Sequence, residues 1–402
     1  MLLSKKMTAI ASGDTVIRRM FEEGAQLKAA LGAENVFDFS IGNPDVPPPP
    51  AFRETLTRVV AENRPGIHNY QPNAGWPTAR AKVAEYLTAT LGAGLTQPLT
   101  LNHVVMTCGA SGALNIAFKA LLDPGDEILT QRPYFMEYDN YTGNHGGKLI
   151  SCAPGPDFKL NVEGLAEAIT PVTRGVLINS PHNPTGVIYK AEELAALGEV
   201  LRRASAKHGR PILLIADEPY RKLAYNGLTV PSVFAAYEYS MVGTSYAKDI
   251  SLPGERLGYA AINPDMPQGD REALFGGMTT ANRLLGYLGG PALMQQVMAE
   301  LQGVSVDISL YERRRDMMVE GLRAAGYTLT VPDGAFYVFP KSPLADDAAF
   351  VGRLKEERIL AAPGSLFSQP GYFRLCYCVN EDTIRNSMAG FARVMAACVK
   401  DA

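Results

Sequence analysis

Seven short apolar runs between residues 103 and 263 limit what this chain can fold into. They are HVVMT (103–107), EILT (127–130), KLISC (148–152), GVLIN (175–179), ILLIA (212–216), SMVGT (240–244) and YAAIN (259–263). Each run is nearly continuous in apolar residues rather than alternating, as expected of strands covered on both faces. Helical patterns, such as 111–122 and 190–208, lie between several of them. This alternation predicts a three-layer α/β unit, a mostly parallel seven-stranded sheet with helices on both sides. Sheets of that kind bind ligands beyond the C-terminal ends of their strands. The residues that follow each run are therefore the candidate site.

Beyond residue 290 the pattern changes. A long helical stretch is expected from about 291 to 325. Strand-like YTLTV, AFYVF and YFRLCYC follow, with helices near 345–358 and 381–399, which describes a smaller α+β unit. Near the start, Val16, Ile17, Met20, Phe21, Ala25 and Leu27 recur at helical spacing within 14–31. VPPPP at 46–50 cannot continue a helix and favours an extended crossing. The expected division is an N-terminal segment, 1–48, that packs with the small domain; a large domain, 49–299; and a small C-terminal domain, 300–402. Both chain ends then form the small domain.

Composition excludes some classes of function. With a net charge of −3, the 402 residues carry no basic field for nucleic acid and no polybasic patch for a membrane surface. No stretch of about 20 apolar residues is present to span a bilayer. Cys108, Cys152, Cys376, Cys378 and Cys398 form no CxxC pair and no metal spacing, and their odd number argues against a full disulfide framework. The start, MLLSKKMTAIASGD, has no long apolar run of the signal-peptide kind, so a cytoplasmic setting is expected.

The strand ends carry chemistry. HVVMT is followed by CGASGAL, whose Gly109, Ala110, Ser111 and Gly112 open a helix with free N–H groups and a hydroxyl, a phosphate cradle. The same letters also suit a tight strand-to-helix turn. After EILT, Tyr134 or Phe135 could stack on a planar ring or pack in the core. After GVLIN, SPHNPTG makes a rigid turn presenting Asn183, as a ligand donor or a turn cap. Asp217 ends an apolar strand, where a charge needs a partner or a helix to cap, and Tyr220 follows three residues on. TSYAKDISLPGERLGY, 244–259, supplies Ser245, Lys248 and Arg256. Lys248 alone could be a solvated charge. Together these groups suit a flat, phosphorylated aldehyde with a basic ring nitrogen, which is pyridoxal 5'-phosphate.

Nine motifs in order then resemble the class I/II aminotransferases, fold-type I pyridoxal-phosphate enzymes of the aspartate aminotransferase type. They are IGNPD (41–45), NYQPNAGWPTAR (69–80), GASGAL, RPYF, HNPTG, DEPY, SYAKDISLPGERLGY, DGAFY (333–337) and FRLCY (373–377). The resemblance implies a transaminase moving an amino group between an L-amino acid and a 2-oxo acid by a ping-pong mechanism. It implies Lys248 as the Schiff-base lysine and Asp217 as the carboxylate that keeps the ring nitrogen protonated. Tyr220 and Asn183 are implied for the phenolic oxygen, and Phe135 for the ring face. Ala110, Ser111, Gly112, Ser245 and Arg256 are implied for the phosphate. Tyr70 is implied to reach the cofactor of a second subunit in a homodimer with shared active sites. Arg374 is implied to grip the substrate α-carboxylate, beside a segment at Gly42 that closes over the substrate.

Dicarboxylate-specific members use a second arginine from the partner subunit. The matching stretch here, TTANRLLGYLGGPALM (279–294), places Leu284 at that position, with Arg283 adjacent. The same scaffold also hosts C–S β-lyases, the alternative chemistry. A non-catalytic regulator, the remaining alternative, needs a DNA-binding domain that the 40 residues before IGNP do not resemble.

Overall fold

The computed structural model describes residues 2–8 and 24–401. A helix covers 24–31, and the apolar positions Val16, Ile17, Met20 and Phe21 lie outside the described residues. The chain divides into two compact units. One comprises Asn43–Ser309 with Pro332–Ala335; the other comprises the described residues up to Gly42, Leu310–Val331, and Phe336 onward.

In the first unit the seven apolar runs form one sheet. Its strands are β1 (Val104–Thr107), β2 (Glu127–Gln131), β3 (Lys148–Cys152), β4 (Thr173–Asn179), β5 (Leu213–Asp217), β6 (Ser240–Ser245) and β7 (Gly258–Ile262), in the order β1-β7-β6-β5-β4-β2-β3. β7 runs antiparallel to both its neighbours, and the other pairings are parallel. The apolar continuity has the expected cause: β1, β5 and β7 are buried at every residue. Helix Gly109–Leu121 covers one face, where its Ala113, Leu114, Ala117 and Phe118 join Ile215, Met241 and Ala260 in the core. Helix and sheet approach so closely that a Cβ at Gly243 would sit 3.2 Å from the Ala113 methyl group. That contact leaves the N-terminus of the helix beside the ends of β5 and β6.

The expected helix over 291–325 is two helices, Ala292–Glu300 and Ile308–Ala324. Gly303, at φ +85°, takes a left-handed turn between them. The freed backbone has another use: Val306 N–H and the Ser305 hydroxyl both donate to the Asp249 carbonyl, at 2.8 and 2.9 Å.

In the second unit, Phe37–Asp38 pairs in parallel with Ile359–Leu360. A three-stranded antiparallel sheet has Phe373–Cys376 at its centre, flanked by Ala362–Pro363 and Tyr337–Val338. The expected strand YTLTV does not form, and AFYVF contributes only Tyr337–Val338. Residues 332–335, between them, spend their backbone groups in the first unit, where Asp333 and Gly334 N–H donate to the Gly186 carbonyl. Among the described residues, no helix is long and apolar enough to cross a membrane.

Ile215 is 0% exposed at the centre of the sheet. Ile215→Ala is expected to lower unfolding free energy by about 2–5 kcal/mol, measured by denaturant titration. A loss below about 1 kcal/mol would show that the core sits elsewhere.

Candidate active site

β5 carries Asp217 into a buried position at its C-terminal end. One carboxylate oxygen, Oδ2, accepts from the Tyr138 hydroxyl at 2.6 Å, while Oδ1 is buried with no hydrogen-bond partner. Burial pushes the pKa up to about 7, against the lowering effect of the Tyr138 hydrogen bond; the neighbouring Glu218 adds to the rise. Asn179, at the end of β4, fixes the strand ends. Its Nδ2 donates to the Asp217 carbonyl at 2.7 Å, and its Oδ1 accepts from Asn183 N–H at 2.6 Å. Asn183 and Tyr220 are both buried beside this strand end. Tyr220 acts electrostatically on the Tyr138 phenol.

The turn after β1 has the shape of a cradle. Gly109 has φ +68°, and a Cβ there would lie 3.3 Å from the Arg256 guanidinium. Arg256 is itself left-handed, at φ 51°, after the turn Pro253–Glu255. Ala110 and Ser111 lie in the first turn of the helix, where N–H groups have no intrahelical partner, and Gly112 N–H closes the first helical bond, to the Cys108 carbonyl. The Tyr141 hydroxyl donates to Ser111 Oγ at 3.0 Å, which leaves the serine proton for an acceptor. Tyr141 feels both Arg256 and Asp217 electrostatically, so cradle and carboxylate are neighbours. Phe135 meets the Tyr138 ring edge-on, with centroids 5.7 Å apart.

Ser245 ends β6, buried, and Lys248 is half-buried in the loop beyond it. This loop is held from behind. Asp249 pairs with Lys222 at 2.7 Å, and both side chains are largely buried. Lys222 also donates to the Val304 carbonyl at 3.1 Å. The backbone next to Lys248 is therefore tied to two other segments.

Arg374 and Gly42 belong to the second unit. Arg374 is buried and donates to the Ser40 carbonyl at 2.7 Å. Gly42 lies against the Tyr337 hydroxyl, which a Cβ there would overlap. Tyr70 is 93% exposed and lines a cleft of about 570 Å³ with His68, Cys108 and Tyr287. Arg283 and Leu284 are exposed in the last turn of helix Gln268–Leu284, where a cation suits the helix dipole.

The family model described as "Aminotransferase class I and II" matches residues 34–391. The chain belongs to the class I and II aminotransferases. It is 32% identical to the aspartate/prephenate aminotransferase of Thermus thermophilus, over 88% of this chain and 89% of that one. It is 30% identical to the aspartate aminotransferase of Geobacillus stearothermophilus, over 99% and 100%. Among solved structures, an amino transferase from Eubacterium rectale shares 38% identity at a TM-score of 0.93, over 99% of both chains. This aminotransferase is thus a pyridoxal-phosphate-dependent transaminase, and the C–S lyase alternative is not favoured.

The residues present fit that cofactor. The open Oδ1 of Asp217 is the acceptor a ring N–H needs, and such a pair satisfies a buried carboxylate by a charge-assisted bond. The cradle at Gly109–Gly112 with Arg256 suits a phosphate. Sequence reasoning missed Tyr138, Tyr141 and Asn179. Tyr138 and Tyr141 are spaced i, i+3 in helix Glu137–Gly143, directly after RPYF, and that spacing was an available signal.

Asp217 titrates near 3.8 when unperturbed and near 7 in the folded, cofactor-free enzyme. Between those values the folded state binds the extra proton. This group's contribution to stability therefore falls as pH rises from about 4 to about 7, by at most about 1.4 kcal/mol per unit, and is flat above. Asp217→Asn should remove that fall. A stability difference between parent and variant that stays constant across this window would contradict the assignment.

Proposed function

We propose that Lys248, Asp217 and Tyr220 are the catalytic residues of this transaminase. On this reading Ala110, Ser111, Gly112, Phe135, Asn183, Ser245 and Arg256 hold the cofactor. Arg374, Gly42 and Asn183 bind the substrate. The observation that carries the proposal is the buried Asp217 with one oxygen satisfied and one open, at the strand end next to that bearing Lys248.

When bound, pyridoxal phosphate supplies an aldehyde that takes the amino group and a ring that, held protonated, draws electrons from the substrate Cα. Asp217, ionised, keeps the proton on the ring nitrogen. Tyr220 and Asn183 bond the phenolic oxygen. The Lys248 amine, uncharged, removes the proton from the substrate Cα and moves it across the site. The cradle anchors the phosphate far from the reacting carbon, so binding energy there orients the chemistry. The donor leaves as a 2-oxo acid before the acceptor enters, giving ping-pong kinetics.

The working assembly is a homodimer in which Tyr70 reaches the cofactor of the second copy. Tyr70 stands in solvent, as do Leu284 and Tyr287, and its cleft extends to Cys108, next to the cradle. None of the five cysteines is in a disulfide, which suits a reducing cytoplasm. Arg374 selects an α-carboxylate. Relatives named as aspartate aminotransferases make aspartate the first donor to test, although Leu284 offers no cation to a side-chain carboxylate.

Lys248→Ala should lower kcat by about a thousandfold or more, with folding retained. An active Ala variant would refute the role of Lys248. With the parent enzyme, a single L-amino acid should convert the cofactor's absorbance to that of its amine form, and a 2-oxo acid should restore it. Release of ammonia without an acceptor would instead indicate elimination.

A further inference from the structure

Arg374 lies on the central strand of the small sheet, and an aromatic ring from each side of that strand meets its guanidinium. Tyr337 comes from the neighbouring strand Tyr337–Val338; Phe367 comes from the turn Gly364–Phe367, which follows the other neighbour, Ala362–Pro363. Each ring centroid is 4.7 Å from the guanidinium carbon. The rings are themselves fixed. Phe367 is 0% exposed and meets Phe339 edge-on at 6.0 Å; Tyr337 is 2% exposed and meets Phe336 at 5.0 Å. The Tyr337 hydroxyl lies against Gly42, and the Ser40 carbonyl takes one guanidinium N–H at 2.7 Å.

Arginine has a long side chain with several rotamers, and freezing it when substrate arrives costs entropy. A ring face attracts a guanidinium and packs on its plane, leaving the N–H edge for hydrogen bonds. We propose that Tyr337 and Phe367 are positioning residues that set the plane of Arg374, so that its edge meets the planar α-carboxylate without reorganisation. This rests on the reading of Arg374 as the group that binds the substrate α-carboxylate. The rings act through Arg374 on substrate binding and not on proton transfer, so their effect belongs in KM. The shape of the slot favours planar carboxylates over tetrahedral phosphonate or sulfonate analogues.

The test is made on the cofactor-loaded enzyme, with KM and kcat for one donor and one acceptor, and with the dissociation constant of the donor's aminophosphonate analogue. Arg374→Lys first checks the underlying reading, and should raise KM for both substrates about a hundredfold. If it does not, the role of Arg374 fails and the inference falls with it. Phe367→Leu and Tyr337→Leu should each raise both KM values about tenfold, with kcat within about twofold, and narrow the preference for carboxylate over phosphonate. Tyr337→Phe, which keeps the ring face, should stay within about threefold of the parent. Should the leucine variants misfold, pentafluorophenylalanine at position 367 keeps the ring's shape and inverts its charge distribution, and should raise KM about tenfold. KM unchanged in the pentafluoro enzyme, or a fall in kcat alone in the leucine variants, overturns the proposal.

Discussion

A carboxylate held at the end of a buried strand, with one oxygen bonded and one open, is the interaction on which the rest of this site depends. Asp217 costs stability in the cofactor-free protein, because its ionised form lacks a cationic partner in a region from which water is excluded. On the proposed assignment, a protonated ring nitrogen facing Oδ1 would remove that cost, in the protonation state that the chemistry needs. Tyr138 limits the cost by donating to the other oxygen and fixes which oxygen stays available.

The sheet makes this arrangement rigid. Asn179 and Asp217 are register partners on adjacent parallel strands, as are Asp217 and Gly243. The open carboxylate, the Asn183 turn and the strand leading to Lys248 therefore share one edge of the sheet. Helix Gly109–Leu121 packs on the same strands and brings the cradle there. Behind the Lys248 loop, the Lys222–Asp249 pair and the bonds from Ser305 and Val306 hold the loop backbone.

The sequence made the seven strands legible because both faces of each are covered, so apolar runs stand out without alternation. The strand ends were legible for the same reason: polar residues directly after such runs have few other uses. Contacts between distant segments were not legible. Tyr138 lies 79 residues before its partner Asp217, and Asn179 lies 38 before it. Neither tyrosine nor asparagine there differs, as a letter, from an ordinary core or turn residue. The break at 301–307 was hidden because its backbone bonds go to Asp249, which helical periodicity cannot show. The aromatic flanks of Arg374 come from two separate segments and become visible only when the small sheet forms.

The attachment point of the cofactor tests the account most directly. Borohydride reduction of the cofactor-loaded enzyme, followed by proteolysis and mass spectrometry, should place the added cofactor mass on the peptide containing Lys248 and on no other. Label on a different lysine, or none at all, would contradict it.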